Sequence, residues 1–435
     1  MTLYKSSDIE LFKKNIDNIN ENIARKQLEV LEPSKEEKDK IMNIILTFIK
    51  QKKRKIYGGY ALNALINDKN HKDAIYKEYE TPDIDFYSPD PILDLMEICN
   101  ILFDNELKHI NGKEAMHTET YSIYVNYELY CDISYVPRNI YNKMPYKEIK
   151  GINYIHPNFM TIDYFRMMTD LLLSSWRIEK AFKRLYLLQK YYSLPHNESP
   201  IKIEESTGNI DFILNTIYDF LKNKRSCITI GMYAYNYYLN KSNVLKSNKE
   251  NKQFKILNNP YYEIISINYK EDTLELIKLL KSKSSSNDIT YEENYPFFQF
   301  TGYNVYIYHK KNLIAIIYHN NDKCLPYFNI EAEKYENNKI IKDTGTITIG
   351  TFNLTLLFYL ITIMKARTNE DDNKKNLYHT LISHLIEIRN IYFEKEHKNI
   401  FDDTPFKEFV VNCIGETMMP EKKKRLLIEY RKKKK

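Results

Sequence analysis

The stretch "IYGGYALNALI", residues 56–66, joins a short apolar segment to a helical pattern through the only adjacent glycines in the chain. The chain has 435 residues and just ten glycines, so two together indicate a place where the backbone must approach something closely. A strand, a Gly-Gly turn and a helix N-terminus form a cradle for phosphate, because the backbone N–H groups and the positive end of the helix both face the anion. We therefore take Gly58, Gly59, Tyr60 and Asn63 as candidates for nucleotide or phosphate binding.

Two aspartates follow in the stretch "PDIDFYSP". Asp83 and Asp85 lie two residues apart on a predicted strand, so both carboxylates project from one face, while Ile84 and Phe86 point into the core. Carboxylates crowded in this way repel each other unless a cation lies between them. Oxygen ligands on a rigid strand, beside a phosphate cradle, suit Mg²⁺ bound to a nucleoside triphosphate.

A third carboxylate is needed for a two-metal site, and we expect it on a neighbouring strand. Asp132 in "ELYCDISYV" is the candidate, because apolar or aromatic strand residues flank it on both sides. A buried carboxylate there would cost several kcal/mol without a partner. Taken singly, each of these aspartates is better explained as a turn or cap residue. Their order along the chain indicates a catalytic and metal-binding set.

Composition limits the class of protein. A chain of 435 residues predicts two or more domains, and a net charge of +6 permits a nucleic-acid partner without requiring one. The five scattered cysteines predict neither a zinc site nor a disulfide framework, which favours a reducing compartment. The N-terminus lacks the layout of a signal peptide, and no apolar run is long enough to span a membrane. We expect a cytoplasmic protein without membrane contact.

The polar segment at residues 193–209 predicts a domain boundary. We expect N-terminal helices and a catalytic domain over 1–195, a second domain over 196–420 and a basic tail over 421–435. Ser34 and Glu37 predict a capping box at the start of a helix. Lysine-rich stretches at 241–255 and 281–294 predict surface loops.

The order "GGYALN", "PDIDFYS", "YCDISYVP" resembles the nucleotidyltransferases of the DNA polymerase β-like superfamily. More closely, it resembles the poly(A) polymerase catalytic subunits of large cytoplasmic DNA viruses of the mimivirus, asfarvirus and poxvirus type. "EAMHTETYSIYVN" and "SSWRIEKAFKR" extend the resemblance to about Arg184. The superfamily usually has Gly-Ser where this chain has Gly58 and Gly59, so a hydroxyl contact to the triphosphate is missing.

The resemblance implies an α/β (α+β) nucleotidyltransferase fold with a mixed sheet and flanking helices. It implies template-independent transfer of adenylate from ATP to an RNA 3′ end with two Mg²⁺ (or Mn²⁺) ions. Asp83 and Asp85 would hold both ions, and Asp132 would hold one of them and help activate the primer hydroxyl. A homodimer or a second viral subunit is an expected partner. The alternatives are a nucleotidyltransferase with another acceptor or nucleotide, and a non-catalytic RNA-binding scaffold.

Basic residues surround these motifs. Arg177, Lys180 and Arg184 recur at helical spacing and form one stripe, which is either a clamp on triphosphate or primer, a role that the resemblance favours, or a solvated helical face. Trp176, the only tryptophan, is expected in the core, although it could stack on a base. The run "KKRK" at 52–55 could line the opening of the site.

Two further features of the sequence concern ligands. The tail over 421–435 has nine basic residues in fifteen, which suits either sequence-independent phosphate attraction or a solvated end. His117 and His156 are expected to be structural, because no second His or Cys is spaced to join either of them in a metal site.

An internal repeat predicts a degenerate nucleotidyltransferase-like domain, which the resemblance also implies; the alternative is a chance similarity between strand–turn–helix segments in a chain rich in Tyr and Asn. "RSCITIGMYAYNYYLN", residues 225–240, echoes the glycine stretch and places Gly231 and Asn236 against Gly58 and Asn63. Further on, Glu263 falls against Asp85. The other site positions are replaced: Gly59 by Met232, Asp83 by Tyr261, and Asp132 by Ile316. The second copy is therefore predicted to keep the fold, with the strand of Glu263 beside that of Ile316, and to lack a two-metal site.

Overall fold

The structure is a computed structural model that describes residues 3–30, 35–77, 80, 82–117, 119–194, 201, 210–246, 254–336 and 339–433. The chain divides into two compact units, Met1–Met160 and Thr161–Lys435. The predicted boundary at 195/196 and Ser34 of the predicted capping box lie outside the described residues. The domain limits therefore stay a prediction.

The first unit contains a seven-stranded mixed sheet with flanking helices. Its helices are α1 (Ser6–Val30), α2 (Lys35–Gln51), α3 (Gly58–Lys69), α4 (Pro91–Asp104) and α5 (Arg138–Lys143), and α6 (Pro157–Thr169) begins within it. Its strands are β1 (Lys55–Tyr57), β2 (Ile84–Ser88), β3 (Asn111–Glu114), β4 (Thr120–Val125), β5 (Glu128–Tyr135), β6 (Tyr146–Ile149) and β7 (Ile152–Ile155). The predicted strand–glycine–helix unit is confirmed, since β1 runs directly into α3.

Strand β2 occupies the centre of this sheet, whose order is β3-β4-β5-β2-β1-β7-β6. Ile84 and Phe86 are fully buried, as the alternation predicts, whereas Asp85 between them is only half-buried. Asp83 lies just before the first residue of β2 and is exposed. Because β2 and β5 are parallel neighbours, Asp85 lies opposite Asp132.

The second unit contains an eight-stranded sheet. Its helices are α7 (Leu171–Ser174), α8 (Ile178–Tyr191), α9 (Asp211–Leu221), α10 (Gly231–Lys241), α11 (Tyr269–Lys283), α12 (Phe352–Thr368), α13 (Asp372–Glu396) and α14 (Pro420–Lys433). Its strands are β8 (Cys227–Ile230), β9 (Tyr262–Ser266), β10 (Ile289–Asn294), β11 (Asn304–His309), β12 (Asn312–His319), β13 (Leu325–Glu336), β14 (Lys339–Gly350) and β15 (Cys413–Ile414).

The second sheet repeats the first strand by strand. Its order is β10-β11-β12-β9-β8-β14-β13-β15, and β15 is the one addition. Each neighbouring pair keeps its direction: β8 and β9 are antiparallel like β1 and β2, and β9 and β12 are parallel like β2 and β5. Glu263 lies opposite Ile316, in the same register as Asp85 and Asp132. The predicted repeat of the fold is therefore confirmed.

The two copies also share an ion pair, formed in each case by a basic residue that precedes strand β1 or β8 in the chain. Arg54 makes two hydrogen bonds, of 2.7 and 2.8 Å, to Asp94 of α4, and Lys224 lies 3.1 Å from Asp272 of α11. Lys55 is buried and donates to backbone carbonyls. The expectation that the basic run at 52–55 lines the site is therefore wrong for Arg54 and Lys55. Both residues make hydrogen bonds within the first unit.

Two other expectations fail in the second unit. Cys324 and Cys413, 89 residues apart, form a disulfide, because pairing of β13 with β15 brings them together without any local spacing signal. The predicted loop at 281–294 contains the end of α11 and strand β10, which pairs with β11. In the described parts of the chain, no helix has the length and apolar character needed to cross a membrane.

Candidate active site

The three predicted carboxylates come together in the first unit. One oxygen each from Asp83, Asp85 and Asp132 lies within 4.8 Å of the others. Asp83 is exposed, and the other two are half-buried, so the cluster opens to solvent on one side. The parallel pairing of β2 with β5 produces this arrangement, since it places two of the three residues directly opposite each other.

The glycine turn is built against the same cluster. Gly58 has a φ of +70°, and a Cβ atom added to it would lie 2.3 Å from Oδ2 of Asp85. A side chain at this position would therefore collide with the carboxylate. Tyr57, which precedes the first turn of α3, contributes no side-chain hydrogen bond to that turn. The glycine turn therefore places the N-terminus of α3, with its partial positive charge, next to Asp85.

Ser122 on β4 contacts the candidate site, and sequence reasoning missed it. Its hydroxyl donates a 2.5 Å hydrogen bond to Oδ1 of Asp132. Burial raises the pKa of Asp132; the bond from Ser122 opposes that rise, the charge of Asp83 adds to it, and His117 lowers it. The only signal for Ser122 in the sequence is a hydroxyl on the strand that precedes Asp132. That signal is too common to identify a site residue.

The cluster fits a divalent cation. Its donor set is three carboxylates from neighbouring strands, and hard cations such as Mg²⁺ prefer oxygen ligands. Three anionic groups this close destabilise one another unless positive charge is added. Burial is the main cause of the raised pKa of Asp132, and the charge of Asp83 adds to the rise.

Comparison with known proteins places the chain. Residues 43–174, which contain all three aspartates, match the family model "Poly(A) polymerase catalytic subunit", and residues 186–435 match a model for the C-terminal part of the mimivirus form of that subunit. A protein of Acanthamoeba polyphaga mimivirus, provisionally named a poly(A) polymerase catalytic subunit, is 37% identical, over 99% of this chain and 76% of its own length. This chain belongs to the poly(A) polymerase catalytic subunit family. It is therefore an enzyme, and its activity is poly(A) addition.

Other relatives agree with this assignment. The crystal structure of the Megavirus polyadenylate synthase superimposes with a TM-score of 0.89 at 35% identity, and the match covers 100% of this chain and 85% of that one. It supports the predicted α/β fold with mixed sheets. An African swine fever virus protein with the same provisional name is 29% identical over 41% of this chain and 38% of its own length.

Asn63 and Tyr60 in this poly(A) polymerase family member lie on the first turns of α3. The amide oxygen of Asn63 accepts hydrogen bonds of 2.8 and 3.0 Å from the backbone N–H groups of Ile75 and Tyr76. Asn236 makes the equivalent contact to the backbone in the second copy, so this contact belongs to the fold. Tyr60 is half-buried, and burial raises its pKa. Nucleotide binding by either residue stays a prediction.

The basic stripe lies at the start of α8 in the second unit. Arg177 and Lys180 are exposed, and Arg184 is half-buried. Glu179 pairs with Lys183 at 2.6 Å, which confirms local pairing on this helix. The expectation of a core position for Trp176 is wrong: its side chain is 75% exposed, and the guanidinium of Arg177 lies 4.1 Å from the centre of its ring. Surfaces that bind single-stranded nucleic acid combine exposed aromatic rings with positive charge, and base stacking by Trp176 stays a prediction.

The two histidines differ in their surroundings. Nδ1 of His156 accepts a 3.2 Å hydrogen bond from the backbone N–H of Asn158 at the start of α6, which confirms its structural role. His117 is exposed, and its charge lowers the pKa of Asp132. In the described residues, neither histidine joins a group of side chains able to hold a metal ion.

Proposed function

We propose that this chain adds adenylate from ATP to RNA 3′ ends without a template, using two divalent ions. The observation that carries the proposal is the convergence of Asp83, Asp85 and Asp132 within 4.8 Å, with Gly58 at the N-terminus of α3 directly beside Asp85. Phosphoryl transfer requires mostly positioning and charge neutralisation, and this arrangement offers both.

The three carboxylates and the glycine turn would have different roles in binding the ions and the triphosphate. Asp83 and Asp85 would hold both ions, and Asp132 would hold one of them. When bound, the ions would neutralise the triphosphate and make the primer hydroxyl easier to deprotonate. The backbone N–H groups at the start of α3 would bind the triphosphate. In the reaction the primer O3′ forms a bond to the α-phosphorus, the bond from that phosphorus to the bridging oxygen breaks, and pyrophosphate leaves.

Ser122 would orient the third carboxylate. Its bond fixes Oδ1 of Asp132 and therefore limits rotation of the carboxylate. It also favours the ionised form of a group whose pKa burial raises. Both effects would keep Asp132 ready to accept a cation or a proton near the primer hydroxyl.

The contrast between the copies argues against a non-catalytic scaffold. The first copy keeps all three carboxylates, while the second keeps the fold, the glycine turn and the strand register but replaces two of the three. The fold alone therefore does not require Asp83 or Asp132. Their presence together in the first copy is best explained by a role in catalysis.

Primer extension tests the proposal. A labelled oligoribonucleotide would be incubated with Mg²⁺ or Mn²⁺ and with each of the four triphosphates separately. We expect long products with ATP, and loss of extension by several orders of magnitude in Asp83→Asn and Asp132→Asn variants that melt like the parent protein. Equal use of all four triphosphates would overturn the assignment of adenylate, and full activity in either variant would overturn the assignment of the site.

The remaining expectations concern the cell and the assembly. A cytoplasmic location, and a homodimer or a second subunit, stay predictions. RNA and ATP are the substrates that the family implies, and the extension assay measures both directly.

A further inference from the structure

The side chain of Tyr57 crosses three strands of the first sheet. Its ring stacks on the ring of Tyr87 of β2, with the ring centres 3.9 Å apart and an angle of 8° between the ring planes. Its hydroxyl forms a 2.8 Å hydrogen bond with the hydroxyl of Ser134 on β5. Tyr57, Tyr87 and Ser134 thus form a tyrosine bridge that connects β1, β2 and β5, which are neighbours in the sheet.

The tyrosine bridge lies on the same face of the sheet as the carboxylates. Tyr57 is directly opposite Asp85, and Ser134 follows Asp132 by two residues on β5. Residues directly opposite each other on neighbouring strands, and alternate residues of one strand, project from the same face of a sheet. The bridge is therefore next to the candidate active site, one step along the strands from the acidic cluster.

The partners of Tyr57 are fixed in the core. Tyr87 and Ser134 are each only 4% exposed, whereas Tyr57 is half-buried. Phe159 packs edge-on against Tyr87, with the ring centres 6.1 Å apart. Ser134 forms a second hydrogen bond, of 3.0 Å, with the hydroxyl of Thr120 on β4. Both partners are therefore held by other contacts, so they can restrain the position of Tyr57.

Tyr57 is also the residue at which the chain leaves the sheet. It ends β1 and directly precedes Gly58. Lys55 and Ile56 pair with both β2 and β7, but among the described strands Tyr57 pairs with β2 alone. A restraint on its side chain therefore acts where the backbone has least support from the sheet. The glycine turn has little room to shift, because a Cβ atom on Gly58 would already lie 2.3 Å from Oδ2 of Asp85.

The second copy of the fold lacks this bridge. Strand pairing places three residues at the positions of the bridge, namely Ile230 for Tyr57, Ile265 for Tyr87 and Tyr318 for Ser134. Two isoleucine side chains can neither stack as rings nor form the hydrogen bond. The second glycine turn nevertheless has the same backbone form, with a φ of +66° at Gly231. The fold therefore does not require the bridge, which is present in the copy that also has all three carboxylates.

We propose that Tyr57 is a positioning residue for poly(A) addition: through Tyr87 and Ser134 it fixes the glycine turn relative to the carboxylates. The inference rests on the proposed function in one respect, which is that the backbone N–H groups at the start of α3 bind the triphosphate. A small displacement of such groups is enough to weaken the binding of a substrate and its alignment. Loss of the bridge leaves the three carboxylates in place, so it should affect ATP and not the primer.

Extension kinetics with ATP and primer varied separately test the proposal in the full-length protein. Tyr57→Phe keeps the ring stack and removes only the hydroxyl. The net contribution of one hydrogen bond predicts that the KM for ATP rises about 2- to 12-fold, while the KM for primer stays at the parent value. Tyr57→Leu also removes the stack and should raise the KM for ATP further. The control is Tyr235→Phe, which removes a buried tyrosine hydroxyl bonded to His384 in the second copy and should change neither KM.

A double-mutant cycle with Ser134→Ala identifies the partner. If the two hydroxyls act through the bond between them, the double variant of Tyr57→Phe and Ser134→Ala should have a KM for ATP no higher than the worse single variant. Thr120→Val removes the other hydroxyl bonded to Ser134 and should leave the KM for ATP unchanged. If Tyr57→Leu does not fold, as judged by thermal melting, the cycle with Tyr57→Phe still decides the question.

The outcomes separate this inference from the proposed function. Normal extension by the parent protein with an unchanged KM for ATP in Tyr57→Phe, an equal rise in both KM values, or additive effects in the double variant would overturn the inference alone. A parent protein that does not extend a primer with ATP would overturn the proposed function and this inference with it.

Discussion

Tyr378 donates a 2.7 Å hydrogen bond to Glu263, the buried residue that occupies the position of Asp85 in the second copy of the fold. In the first copy that position is half-buried and faces two other carboxylates. In the second copy a tyrosine from α13 is the hydrogen-bond partner of the carboxyl group. The same position in the fold is therefore part of an acidic cluster in the first unit and of a buried hydrogen-bonded pair in the second.

We predict that Glu263→Gln stabilises the protein at neutral pH. Burial raises the pKa of Glu263 above its ordinary value of 4.5, so the folded state binds that proton more tightly than the unfolded chain does. Stability therefore falls as the pH rises from about 4.5 through the raised pKa, and glutamine removes this loss while still accepting from Tyr378. Thermal melting should show a higher Tm for the variant at pH 8 and no advantage near pH 4.

Asp272→Asn is the matched control with the opposite sign. Burial alone would raise the pKa of Asp272, but hydrogen bonds from Ser266, Ser226 and Lys224 bring it below its ordinary value. Its contribution to stability is present above about pH 4 and is lost as the pH falls through the lowered pKa. Asp272→Asn should therefore lower the Tm at pH 8. If both variants shift the Tm in the same direction at pH 8, this account of the two buried carboxyl groups is wrong.

Alanine at the two equivalent glycines should separate activity from stability. At Gly58 a Cβ atom would displace the half-buried carboxylate of Asp85, which has solvent to move into, so we expect loss of extension with a stability cost of about 1–2 kcal/mol from the positive φ. At Gly231 it would lie 2.5 Å from Oε1 and 2.9 Å from Cβ of the fully buried Glu263. That variant should lose more stability, while its folded fraction stays active. Melting curves and extension assays on both variants would show whether this separation holds.

Removal of the Ser122 hydroxyl should impair catalysis without unfolding the protein. A hydrogen bond to a charged group contributes about 1.5–3 kcal/mol, so Ser122→Ala should lower kcat/KM roughly 10- to 100-fold. The bond opposes the raised pKa of Asp132, so its loss raises that pKa further and should move the acidic limb of the pH profile to higher pH. Thr120→Val is the control, because it removes a neighbouring hydroxyl of β4 that bonds to Ser134. An acidic limb that stays in place in Ser122→Ala would contradict the role assigned to Ser122.

The stripe on α8 can be tested through its salt dependence. If Arg177 and Lys180 contact RNA phosphates, changing both to Gln should raise the KM for primer and flatten its dependence on salt by about 0.7 logarithmic unit per lost contact. Lys183→Gln is the control, because Lys183 is exposed on the same helix and already pairs with Glu179. Equal salt slopes for the parent protein and the double variant would return the stripe to a solvated helical face.

Much of the fold and of the carboxylate cluster could be predicted, because both depend on patterns between residues that lie close together in the sequence. The glycine turn, the alternation around Asp85 and the echo at Gly231 each impose a backbone geometry, and the structure places Glu263 opposite Ile316 as that echo predicts. Both copies of the fold can therefore be predicted from the sequence.

The features that could not be predicted depend on contacts between distant segments. Ser122 reaches Asp132 only through strand pairing, and Cys324 meets Cys413 only through a two-residue strand. Trp176 is exposed in the short segment between α7, which ends at Ser174, and α8, which begins at Ile178. Periodicity within one segment carries no information about such contacts.

The central claim is that the two copies share a fold and that only the first performs chemistry. Primer extension by Asp85→Asn and Glu263→Gln, two isosteric changes at equivalent positions, tests it most directly. The account predicts that Asp85→Asn lowers extension by several orders of magnitude, while Glu263→Gln stays within about twofold of the parent protein. Extension near the parent level in Asp85→Asn, or an equal loss in Glu263→Gln, would contradict it.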